Sequence, residues 1–176
     1  MVMKMRVVLQ IVQNAHVDIE GKTVGIIKKG YLLLVGFQEG DDESILKEML
    51  NKIIGLRIFA DEQGKTNLSL DDVHGEILSV SQFTLYADVR KGRRPSFVNA
   101  LAPQKATVLY DRWLSLLREI YPNAQSGVFG AAQSVYCPLY GGRYAGDGAC
   151  EEHRPLPGIA GARRYGVFRK EQQPKS

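Results

Sequence analysis

Long apolar runs, histidine, tryptophan and cysteine are all scarce in this chain of 176 residues. No apolar stretch approaches the roughly 20 residues that a helix needs to cross a bilayer, so no membrane partner is expected. The opening MVMKMRVVLQ lacks the long apolar centre and small-residue cleavage site of an export signal. Two cysteines, Cys137 and Cys150, make no disulfide framework, and a cytoplasmic location is expected. These cysteines and His16, His74 and His153 show no ligand spacing, so a metal site is not expected.

Several catalytic signatures are missing as well. There is no G-x-x-x-x-G-K-[ST] and no G-x-G-x-x-G, so no phosphate-cradling nucleotide loop. There is no G-x-S-x-G elbow and no Ser-His-Asp order. The carboxylate pairs Asp41/Asp42, Asp71/Asp72 and Glu151/Glu152 each adjoin a turn or a helix start, where capping accounts for them. Charge of one sign is also lacking over most of the chain. Residues 132–176 hold 7 of the 23 basic and 4 of the 19 acidic residues, leaving 16 and 15 in residues 1–131. Against that near-neutral body, Arg90, Lys91, Arg93 and Arg94 stand out as a local basic cluster around Gly92. Such a cluster can grip a phosphate backbone locally.

What is present is clear periodicity in the first three quarters. RVVLQIV (6–12) and YLLLVGF (31–37) read as core strands, and AHVDI (15–19) as a half-buried strand turning through EGK into TVGII. Ile45, Leu46, Met49, Leu50, Ile53 and Ile54 form the stripe of an amphipathic helix, with Asp41 and Asp42 as N-caps and Gly55 as a stop. LRIF (56–59) predicts a short strand, and GEILSVSQFTLYA (75–87) the longest one. Pro103 opens a second helix with Ala106, Leu109, Tyr110, Trp113, Leu117 and Ile120 on one face, and Pro122 ends it. From Ala132 no period is visible, and much of 132–176 reads as loop or tail.

Residues 81–97 carry the most chemistry. Gln82 and Thr84 are two apart and would share one face of a strand, with Ser81 and Phe83 on the other. One reading is a strand with polar dots running into a solvated basic loop. The other is a site: a hydroxyl that attacks or binds, strand-end N–H groups for an oxyanion, and cations for phosphates.

SVSQFTLYADVRKGRRPSF (79–97) closely resembles the D-aminoacyl-tRNA deacylase family, also called D-tyrosyl-tRNA deacylase. Its S-Q-x-T-L motif is Ser81, Gln82, Phe83, Thr84 and Leu85. MRVVLQ (5–10), GYLLLVGF, KIIGLRIFADEQGKTNLSL and SGVFGA (126–131) follow in family order, so the resemblance covers about residues 5–131. It implies a homodimer of α+β single-domain subunits, with barrel-like mixed or antiparallel sheets and two flanking helices. It implies hydrolysis of the ester joining a D-amino acid, or glycine, to tRNA, with no cofactor. Ser81, Gln82, Phe83 and Thr84 would line the reacting centre, with the backbone N–H groups of Gln82 and Phe83 as donors to the carbonyl. Thr84 would be the nucleophile, or else the tRNA 2′-hydroxyl and backbone amides would do the chemistry. Leu85, Pro95 and Phe97 would contact substrate, and Arg90, Lys91, Arg93 and Arg94 would hold tRNA phosphates.

Two departures accompany the resemblance. Ile11 stands where the family has Arg after Gln10. The family's second motif, N-x-G-P-x-T, is absent; the matching stretch is LYGGRYAG, with Gly141 and Gly142 at the Gly-Pro position and Tyr144 at the Thr. In the family that dipeptide reaches into the partner's pocket and excludes L-amino acids. Residues 1–131 are therefore expected as a deacylase-like core and 132–176 as a divergent segment, by native divergence or a frame change in the coding sequence; the alternative is that the segment completes the same domain, with 132–144 as its last strands and Gly141-Gly142 as a substitute loop. The alternatives are a non-catalytic tRNA- or DNA-binding relative, and a deacylase without chiral selectivity.

Overall fold

The structure is a computed structural model that describes residues 5–137 and, as backbone, the strands at 142–145, 150–151 and 165–169. β1 (Arg6–Val12), β2 (Ala15–Ile19), β3 (Lys22–Ile27) and β4 (Gly30–Gly36) open the chain. After α1 (Glu43–Ile54) come the short pair β5 (Phe59–Ala60) and β6 (Thr66–Leu68), then β7 (Glu76–Ser81). α2 (Pro103–Ile120) is followed by β8 (Gln125–Ser126), β9 (Ser134–Cys137), β10 (Gly142–Ala145), β11 (Cys150–Glu151) and β12 (Tyr165–Arg169). One sheet has the order β12–β1–β4–β7–β8 and the other β11–β10–β9–β2–β3. The expected α+β class with two helices is what forms. Its barrel-like part is two packed sheets rather than a closed barrel, since each described strand belongs to one sheet alone.

The alternation along β4 explains the layers. Tyr31, Leu33 and Val35 enter the large core shared with both helices, while Leu32 belongs to a smaller core with Val17, Ile27, Val135 and Cys137 of the second sheet. A strand covered on both faces needs an unbroken apolar run, which YLLLV supplies. β4 and β7 pair in parallel, Gly30 with Glu76 through Val35 with Ser81. That register brings the end of β7 beside the end of β4, where the site begins.

α1 starts at Asp42, whose carboxylate accepts from the Ile45 N–H at 3.1 Å. Asp41 does other work: it accepts from the N–H groups of Met5 (2.9 Å) and Gln38 (2.8 Å), tying the first strand to the helix entry. α2 buries Ala106, Tyr110, Trp113, Leu114, Leu116 and Leu117. Ile120 departs from prediction at 48% exposed, because it occupies the last helical position, where the helix leaves the core. Among the described residues, no helix is long and apolar enough to cross a membrane.

Three local expectations are corrected. The strand predicted over 56–59 forms only as Phe59–Ala60. The long strand predicted to Ala87 stops at Ser81 and gives way to a 3-10 turn, Phe83–Tyr86. The segment past 131 is not simply loop: β9 pairs with β2, β10 with β9, and β12 with β1. Its first strand does alternate, with Val135 and Cys137 buried, but four residues are too few to show a period.

Candidate active site

β7 delivers the site from the core. Leu78 and Val80 are fully buried toward the second sheet, and Ser81, at the strand's end, is half-buried. The next residue makes the last rung: the Gln82 N–H donates to the Val35 carbonyl at 2.7 Å. The chain then leaves the sheet. Leu85 N–H donates to the Gln82 carbonyl (3.3 Å) and Ala87 N–H to that of Thr84 (3.0 Å). This turn puts Tyr86 inside, 1% exposed, and Phe83 outside, 52% exposed.

Gln82 and Thr84 are thus not partners on a strand face, as their spacing suggests. They meet because the turn folds them together, with Gln82 Nε2 donating to Thr84 Oγ1. The Gln82 N–H, predicted as a carbonyl donor, is spent on Val35 and cannot serve. The N–H groups of Phe83 and Thr84 lie ahead of the turn's first internal bond, and the leading N–H groups of any helical turn lack an intrahelical partner. The leading N–H groups of the turn are thus those of Phe83 and Thr84, one residue along from the pair that the resemblance implies. No residue from Ser81 to Tyr86 is a carboxylate or an imidazole, so the partner that the turn itself gives the Thr84 hydroxyl is an amide.

Leu85 is half-buried on the scaffold side of the turn, against Gly36; a Cβ added there would lie 3.4 Å from the Leu85 Cβ. On the outer side, the Phe83 and Phe97 rings meet edge to face, centroids 5.2 Å apart, forming an apolar wall. Pro95 is exposed next to it.

The basic loop is closed by two hydrogen bonds between Asp88 and Ser96, at 2.8 and 2.9 Å, and turns at Gly92 with φ +73. Within it, the four cations are not equivalent. The Arg90 guanidinium donates to both oxygens of the Asp88 carboxylate, from Nε at 2.9 Å and Nη2 at 2.6 Å, and the Arg90 backbone N–H adds a third bond. That partner pulls the Asp88 carboxyl down to about 2 and raises Arg90. Arg90 is thereby a structural brace with its charge matched. Lys91, Arg93 and Arg94 are exposed and make no hydrogen bond or ion pair among the described residues, so three cations rather than four face outward uncompensated. Of the remaining predicted contacts, Gly142 starts β10 opposite Cys137, and Gly141 lies outside the described residues.

Sequence reasoning missed the groups that hold this turn. Arg6 Nη1 donates to the Leu85 carbonyl at 2.5 Å, and its guanidinium lies 4.5 Å from the Tyr86 ring centroid. Burial is the main force raising the Tyr86 phenol. Behind β7, the fully buried Ser79 accepts from Trp113 Nε1 at 3.1 Å, and its carbonyl accepts from Tyr110 Oη at 2.9 Å. Only the alternation of β7, which puts Ser79 on the helix side, hints at this.

A hydroxyl and amide on a turn, leading N–H groups, an aromatic wall and a cationic loop form a set of groups with the chemistry to receive a carbonyl group carried on a large polyanion. The family model described as D-Tyr-tRNA(Tyr) deacylase matches residues 8–141, and the chain belongs to that family. It is 55% identical over 131 residues to the D-aminoacyl-tRNA deacylase of Lactobacillus acidophilus, covering 74% of this chain and 90% of the relative. It is 52% identical over 132 residues to the enzyme of that name in Legionella pneumophila (strain Lens), with coverage of 75% and 91%. Among solved structures, the c-Myc DNA unwinding element binding protein superposes with TM-score 0.70 at 37% identity, over 75% of this chain and 90% of that one. A probable eukaryotic D-amino acid tRNA deacylase superposes with TM-score 0.69 over 95% of this chain and all of that one; at 20% identity it speaks for the fold alone.

Proposed function

We propose that this chain hydrolyses the ester bond of D-aminoacyl-tRNA, and of glycyl-tRNA, releasing the free amino acid and tRNA. The single observation that carries this is the Gln82–Thr84 turn, with its leading N–H groups beside the Phe83–Phe97 wall. An aminoacyl ester is already activated, so positioning and an oxyanion site suffice. Water, or the neighbouring ribose hydroxyl followed by water, adds to the carbonyl carbon. The charge that develops on the carbonyl oxygen is met by the N–H groups of Phe83 and Thr84. The bond to the ribose oxygen then breaks, and that oxygen takes the proton lost by the attacking hydroxyl. Thr84 binds and orients in this scheme, because the group beside its hydroxyl is the Gln82 amide, which takes up no proton. Lys91, Arg93 and Arg94 hold the tRNA phosphates. The protein acts in the cytoplasm, as a homodimer and without a cofactor.

A second reading, a nucleic-acid binder without ester hydrolysis, draws on the 37% identity to a DNA unwinding element binding protein. A third, a deacylase that has lost chirality, draws on Gly141–Gly142 in place of Gly-Pro. Release of D-tyrosine and L-tyrosine from charged tRNA separates all three. D-only release supports the proposal, release of both supports the third reading, and neither, beside a working control enzyme, supports the second. Thr84→Ala is expected to lower kcat by about tenfold, the scale of one hydrogen bond. A complete loss of turnover in a folded variant would make Thr84 the nucleophile instead.

A further inference from the structure

The site turn is held to the sheet by two residues that the proposed reaction does not use. Arg6 and Gly36 are direct partners across the β1–β4 ladder. The turn lies on Gly36. A Cβ there would come within 2.9 Å of the Gln82 carbonyl oxygen, 3.1 Å of the Tyr86 ring and 3.4 Å of the Leu85 Cβ. From the neighbouring strand, Arg6 reaches over 79 residues of sequence to the Leu85 carbonyl at 2.5 Å, with its guanidinium 4.5 Å from the Tyr86 ring centroid. Tyr86 Oη in turn donates toward the Gly36 carbonyl at 3.4 Å. Every residue on the scaffold side of the turn is thus fixed against one of these two positions.

We infer that Arg6 and Gly36 are positioning residues for catalysis: Gly36 lets the turn lie on the sheet, and Arg6 clamps it there. The consequence falls on Phe83 and Thr84, whose N–H groups must point at one place. A turn displaced by a few tenths of an ångström still binds the large polyanion through the loop, but misses the carbonyl oxygen. The clamp is local, since Leu85 and Tyr86 directly follow Phe83 and Thr84. A 3-10 turn of four residues has too few internal bonds to hold its own shape.

This inference rests on the proposed deacylase activity for its kinetic arm, and a second arm does not. Arg6→Met keeps the apolar stem and removes the guanidinium. It is expected to lower kcat on D-tyrosyl-tRNA by about tenfold or more, with KM within about twofold. Arg6→Lys keeps a cationic donor and should recover most of that kcat. Gly36→Ala should show the same kcat loss with KM kept. Arg112→Met, which breaks the guanidinium pair with Glu43 between α1 and α2, is the control and should leave kcat unchanged. In hydrogen exchange, Arg6→Met should speed the hydrogen-bonded amides of the turn, Leu85 and Ala87, while those of β4 and α2 keep their wild-type rates. The inference is overturned if Arg6→Met keeps kcat within twofold, or if Arg6→Lys is no better than Arg6→Met. It is also overturned if exchange rises equally through β4 and α2, which marks a merely structural role. Should Arg6→Met fail to fold, Arg6→Lys and Gly36→Ala decide by the same kinetic criteria. Should the wild-type enzyme release no amino acid, the proposed activity fails, and the exchange pattern alone decides the clamp.

Discussion

Ser79 offers the sharpest test of how the core supports the site. Its hydroxyl is fully buried and accepts from Trp113 Nε1 at 3.1 Å, and Trp113 is itself fully buried. Ser79→Ala removes that acceptor and leaves the indole N–H orphaned away from water. The Tyr110 hydroxyl keeps its better partner, the Ser79 carbonyl at 2.9 Å, so the loss is confined to one donor. An orphaned buried donor costs about 1–3 kcal/mol. For a chain of this size, 2 kcal/mol lowers Tm by about 4–8 °C. Urea unfolding at fixed protein concentration measures it. In Trp113→Phe the donor is gone as well, so adding Ser79→Ala to it should cost about 1 kcal/mol less than Ser79→Ala alone. A Ser79→Ala loss below about 0.5 kcal/mol, or full additivity with Trp113→Phe, refutes the assigned bond.

Three further outcomes follow from the loop regions. The Asp88 carboxyl is held near 2 by Arg90, against 3.8 for an unperturbed aspartate, so its pairing is complete above about pH 4 and is lost as pH falls through 2. A carboxyl NMR titration should show that midpoint in the wild type and a higher one in Arg90→Gln, still below 3.8 because the backbone N–H of residue 90 goes on donating to the carboxylate; a wild-type midpoint at the ordinary value refutes the brace. Replacing Lys91, Arg93 and Arg94 together with Gln should reduce the slope of log K against log salt for tRNA binding by about 2–3, while Arg90→Gln alone changes it by less than about 0.5. An equal effect from Arg90 would mean that it contacts phosphate. Gly127→Ala would put a Cβ 1.6 Å from Gln133 Oε1 and push that side chain off the Val128 N–H it accepts at 2.9 Å. A stability loss of about 1–3 kcal/mol is expected, and an unchanged urea midpoint would speak against this packing.

Elements defined by their own period were legible in the sequence. The α1 stripe, the apolar run of β4 and the capping role of Asp42 needed no distant partner to be read. The turn at 83–86 was not, because FTLY alternates apolar and polar residues as a strand would. What bends it is far away in sequence: the open face of Gly36 and the reach of Arg6. The basic cluster was legible as charge, but the pairing of Arg90 with Asp88 was not, since two-apart residues on a strand do not meet and on this loop they do. The site motif was readable through resemblance, while the direction of its N–H groups depended on where β7 stops pairing. The match to the family model reaches residue 141, through β9, although the texture of the sequence changes at 132.

The pairing of β12 with β1 has a consequence for how the protein is made. Arg6 lies opposite Arg169, so the first strand of the chain acquires its outer neighbour from near the other end. Between the end of β9 at Cys137 and the start of β12 at Tyr165 lie 27 residues. At about 5–20 residues per second, a ribosome needs a few seconds to add them. During that interval every other described strand of the sheet has been synthesised, and the edge of β1 stands open beside the residue that steadies the site. An open strand edge invites pairing with another chain. Synthesis slowed or stopped within this stretch should therefore yield aggregates, and the yield of soluble protein should depend on translation speed over codons 138–164.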